Sequence, residues 1–113
     1  MPVSSPPFPA RLREMLKDYP DHIADLQRLI ASFAEKPKPW SRYEELIWAL
    51  EDSASSFFQD AGAELKVAKE SGDVGLILKA DAKEKQMGRI VLQKPWLGDA
   101  EFRDYFRCKA LLE

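Results

Sequence analysis

Residues 41–71 read SRYEELIWALEDSASSFFQDAGAELKVAKES, and the reading of this stretch decides the fold. Tyr43, Ile47, Leu50, Ala54, Phe57, Ala61, Leu65 and Ala68 recur at steps of three and four, the spacing that lines one face of an α-helix. Leu46 and Phe58 widen that face. Ser41 with Glu44 forms a capping box at its start, and Gly72 supplies a stop at its end. A helix of about 30 residues spans about 45 Å. The expected fold is therefore all-α: a compact bundle of four to five helices around one long central helix, about 41–71. Phe57 and Phe58 are expected at the centre of its core.

Outward from this segment, residues 1–7 are rich in proline and serine and read as irregular, leaving 8–113 as a single helical domain. A first helix is expected over Phe8–Asp18, with Phe8, Leu12, Met15, Leu16 and Tyr19 on one face. Pro20 suits the first turn of a second helix, which runs to Glu35 with Ile23, Leu26, Leu29, Ile30 and Phe33 inward. Lys36-Pro37-Lys38-Pro39 ends it, because each proline removes a donor and restricts its predecessor. Lys-Pro-Trp recurs at 38–40 and 94–96, and shared helix-entry chemistry accounts for it better than duplication does. Asp99 can cap a last helix to Leu112 that buries Phe102, Tyr105 and Phe106.

Residues 74–93 admit two readings. Val74–Leu78 and Gly88–Leu92 resemble the strands of a small β-hairpin, but 79–87 contains no Gly, Pro, Asn or Ser and is full of helix formers. Leu76, Ile77, Ala80, Met87, Ile90 and Val91 share a rough helical face, and Asp81–Lys85 is a favourable i,i+4 pair. Helix is the preferred reading, and the hairpin stays open.

The 113 residues carry a formal net charge of −2, so the overall balance offers no electrostatic attraction for nucleic acid. Charge is unevenly placed. Residues 41–64 hold one base, Arg42, against Glu44, Glu45, Glu51, Asp52, Asp60 and Glu64. Residues 66–94 hold Lys66, Lys69, Lys79, Lys83, Lys85, Arg89 and Lys94 against four acids. Antiparallel packing of the two segments would pair these charges. The basic stretch with Trp96 as a stacking base is the nucleic-acid alternative. The opening residues lack an apolar signal core, no apolar run approaches the roughly 18 residues of a membrane span, and Cys108 has no disulfide partner. A cytoplasmic protein without a membrane partner is expected.

The chemistry-bearing residues are few. One histidine, His22, excludes two-histidine zinc motifs, and no phosphate-binding glycine run exists. Cys108 lies late in its helix, where the dipole opposes a thiolate. Glu44 and Glu51 share a side, but carboxylate rows on long helices are usually solvated. The sequence thus names no catalytic, metal-ligating or cofactor-binding residue.

Trp48 stands out. It points about 140° from the centre of the apolar stripe, among Glu44, Asp52, Ser55 and Gln59. Tryptophan on a polar face is either covered by another segment of the chain or kept for a partner. Val67 also leaves the stripe, which suggests cover on two sides at the far end of the helix. The leading expectation is a non-enzymatic protein–protein interaction module (adaptor, inhibitor or immunity-type) binding another protein or itself through Trp48, Glu44, Asp52 and Glu51. The alternative is a helical small-molecule or metal-binding domain, with a cavity between the long helix and segment 74–93 edged by His22 or the carboxylates.

Overall fold

A computed structural model describes residues 6–35 and 42–112. Ser41 of the capping box, the first Lys-Pro-Trp, and the side chains of Cys108 and Leu112 lie outside the described residues. Those residues form five helices and no strand: α1 (Ala10–Met15), α2 (Pro20–Glu35), α3 (Arg42–Ser71), α4 (Val74–Gln93) and α5 (Ala100–Leu112). The fold is all-α, and 74–93 is helix rather than hairpin. The chain divides into two units, 1–50 with 95–113, and 51–94.

In the first unit, α1 is shorter at both ends than its apolar spacing predicts. Pro9 stands at its N-cap, and a residue before proline is driven out of the α-region, so Phe8 lies outside the helix. Tyr19 is constrained the same way by Pro20, and residues 16–18 form turns. Leu12 and Leu16 are nevertheless buried, with Leu26, Ile30 and Ala34 of α2, which packs on α3. Tyr43, Leu46 and Leu50 complete the contribution of α3.

Trp96, Phe102 and Phe106 are the largest fully buried side chains of the unit. Phe102 meets Phe106 edge-on at 5.3 Å between ring centres, and Tyr43 at 6.2 Å. Edge-to-face pairs of this kind add about 0.5–1.5 kcal/mol beyond area burial. Asp99 fixes this arrangement. One of its oxygens accepts from the Phe102 N–H at 2.9 Å, capping α5, while the other accepts from the Ala10 N–H at 3.0 Å. Two helix N-termini, both electropositive, thus share one carboxylate.

The second unit is a pair of helices, 51–71 of α3 against α4. Gly72, at φ 75°, stops α3 through a bond from its N–H to the Lys69 carbonyl. Asp73 then caps α4, accepting from the Leu76 N–H at 3.2 Å. The seam between the helices is built from Ala54, Ala61, Leu65 and Ala68 opposite Met87 and Ile90. Lys83 pairs with Glu64 and Lys94 with Glu51, each at 3.0 Å, the complementary charge that antiparallel packing predicts.

Three core expectations need correction. Phe57 is only half-buried, and Phe58 is 41% exposed, leaning across Gly88 rather than filling a core. Val67 is exposed, so that end of α3 is not covered on two sides. Alanine at three of the seam positions brings the helices together too closely for large rings to lie between them. Phe102→Ala should therefore cost about 3–5 kcal/mol in urea unfolding, and Phe58→Ala less than about 1.5 kcal/mol.

Candidate docking face of helix α3

Residues 44 and 48 stand one turn apart along α3, so their side chains leave the helix on one side. Trp48 is 65% exposed, which settles that no described segment of the chain covers it. Glu44, one turn before it in the first unit, is exposed. Asp52, which belongs to the second unit, is exposed as well. An indole held on a helix presents a rigid apolar plane with one N–H donor, and carboxylates beside it supply negative charge.

Glu51 is placed differently from these three. It is half-buried and its carboxylate is held by Lys94. Its reach is therefore toward α4, and its charge is already matched.

The other residues of interest are also placed. His22 is half-buried in the first turn of α2, its ring 6.2 Å from that of Tyr19 and its backbone N–H donated to the Tyr19 carbonyl at 3.0 Å. Trp96 is 1% exposed, so it cannot stack on a nucleobase. Lys83, Lys85 and Lys94 of the basic stretch are paired with Glu64, Asp81 and Glu51. Among the described residues no group of three or more His, Cys, Asp or Glu is placed to hold a metal ion. No described helix is long and apolar enough to cross a membrane.

One feature was not visible in the sequence. A groove of about 410 Å³ in the first unit is lined by Pro6, Pro7, Phe8, Arg13, Gln27, Ile30 and Ala31. The Arg13 guanidinium lies over the Phe8 ring at 4.9 Å, a cation–π contact that fixes one wall. Two prolines stand in this segment, and no periodicity marks it. Neither His22 nor a carboxylate lines it.

Trp48→Ser should leave unfolding stability within about 0.5 kcal/mol of the parent, since it removes no packed side chain. The fluorescence lost in the variant should be red-shifted and open to iodide quenching, and a blue-shifted, protected loss would contradict the exposed placement. Comparison with family models, with curated proteins and with solved structures finds no match for this chain.

Proposed function

We propose that this protein is a non-enzymatic protein–protein interaction module of the adaptor, inhibitor or immunity type, acting in the cytoplasm. The observation that carries this reading is Trp48, 65% exposed on a well-formed helix and one turn from the exposed carboxylate of Glu44. Large aromatics with this setting are enriched where proteins meet partners, and a central one commonly dominates the binding energy. The complementary surface is a basic patch with an aromatic-accepting pocket. Charge on Glu44 would speed encounter more than it deepens affinity, so association should slow as salt rises.

A second reading rests on the groove beside Phe8. Its apolar walls and the Arg13 cation suit a small carboxylate-bearing ligand. A ligand that binds only the native state raises the melting temperature, so a panel of small organic acids would reveal it. Absence of any shift would remove it.

The leading reading is tested by affinity capture from native-host lysate with the wild type, Trp48→Ser and Glu44→Lys, all verified to melt alike. A near-stoichiometric protein should be held by the wild type and lost from Trp48→Ser, with capture by Glu44→Lys reduced about tenfold or more. Capture that is indifferent to both substitutions and to salt would overturn this docking face.

A further inference from the structure

Helix α4 packs one face on α3 and leaves an opposite face open. Val74, Leu78 and Leu92 on that face are 68%, 65% and 83% exposed. With Asp81, Lys85 and Gly88 they stand at steps of four, three, four, three and four, a heptad seam about 27 Å long. A coiled-coil spacing without a coil partner calls for an explanation, and the order of its residues supplies one.

We infer that α4 pairs with α4 of a second copy of this chain, antiparallel and two-fold symmetric, about a dyad beside residue 83. In that register Val74 lies opposite Leu92 of the second copy, Leu78 opposite Gly88, and Asp81 opposite Lys85. The same three matches recur on the other side of the dyad, which is what an isologous contact requires. Opposite Leu78, Gly88 has no side chain of its own, and the Phe58 ring leans into that space. The Phe58 ring lies 3.3 Å from where a Cβ on Gly88 would sit, so the incoming Leu78 also finds the exposed aromatic. The apolar matches close the two ends, and the charges sit at the centre.

Charge selects this pairing over the others. Asp81 and Lys85 are bonded within one helix at 2.9 Å. Antiparallel pairing turns the two intrahelical pairs into a ring of four alternating charges. Parallel pairing would set Asp81 against Asp81 and Lys85 against Lys85, which is repulsive. An antiparallel slip of one heptad would set a charge against Val74, Leu78, Gly88 or Leu92 and strip its water without a partner. A foreign partner would have no need of a sequence that complements its own reverse.

The second unit also has reason to self-associate. Its buried set is Ala54, Ala61, Leu65, Ala68, Met87 and Ile90, half of it alanine. Two helices with so little apolar volume between them are stabilised by adding apolar contact from outside.

Sedimentation velocity of the full chain, from about 1 to about 100 μM, tests the inference. The wild type should pass from the 12.9 kDa monomer to twice that mass. Leu92→Ser should weaken the dimer about tenfold or more, and Lys85→Glu should abolish it. Asp81→Lys with Lys85→Glu, which swaps the charges, should restore dissociation to within about threefold of the wild type. Helicity measured at the lowest concentration separates lost pairing from lost folding. A wild type that stays monomeric throughout overturns the inference. So does a dimer that ignores Lys85→Glu, or one that Trp48→Ser abolishes while Leu92→Ser does not.

Discussion

Close approach of α3 and α4 through alanine is the constraint on which the second unit depends. Ala54, Ala61 and Ala68 place methyl groups where a typical bundle would place leucine, so the helices meet at short range and enclose little volume. Other features follow from that closeness. A Cβ on Gly62 would lie 3.1 Å from a Glu84 oxygen, a tight contact with the tip of a flexible side chain. Lys83–Glu64 and Lys94–Glu51 can bridge the two helices because their stems need not reach far. Being partly exposed, each such pair contributes about 0–1 kcal/mol and serves registry more than stability. The face of α4 turned away from this seam keeps its apolar residues uncovered.

The first unit solves the same problem with large rings. Trp96, Phe102 and Phe106 fill the space between its helices, and Asp99 joins the start of α1 to the start of α5 across 89 residues of sequence. Loss of a cap of this kind typically costs about 1 kcal/mol, and Asp99 serves two helices. Trp48, in the same unit, is absent from this packing.

Most helix boundaries could be read from local chemistry. Pro20, Gly72, Pro95 and Asp99 act through their own backbones or through neighbours a few residues away, so their meaning does not depend on tertiary context. Apolar spacing does not set the α1 boundaries, because Pro9 and Pro20 constrain the residues before them. Phe57 and Phe58 were misplaced for another reason: periodicity gives the angle of a side chain but not the depth of the partner it meets. Trp48 was legible as an outlier by angle, and its exposure was not, because cover from a distant segment leaves no local mark. Glu51 looked like its neighbours until Lys94 was seen opposite it. The face of α4 was hidden differently. Leu76, Ile77, Ala80, Met87, Ile90 and Val91 formed the more continuous stripe, and Val74, Leu78 and Leu92 gained meaning only once the side packed on α3 was known.

The alanine seam leaves α4 with an apolar outer face, the surface that the inferred second copy would cover. Amide hydrogen exchange of the full chain at several concentrations tests that pairing most directly, because self-association slows the local openings of the segment it buries. Exchange across residues 74–92 should slow progressively with concentration, while α2 and α5 exchange at unchanged rates. Exchange in α4 that is the same at every concentration would contradict the account.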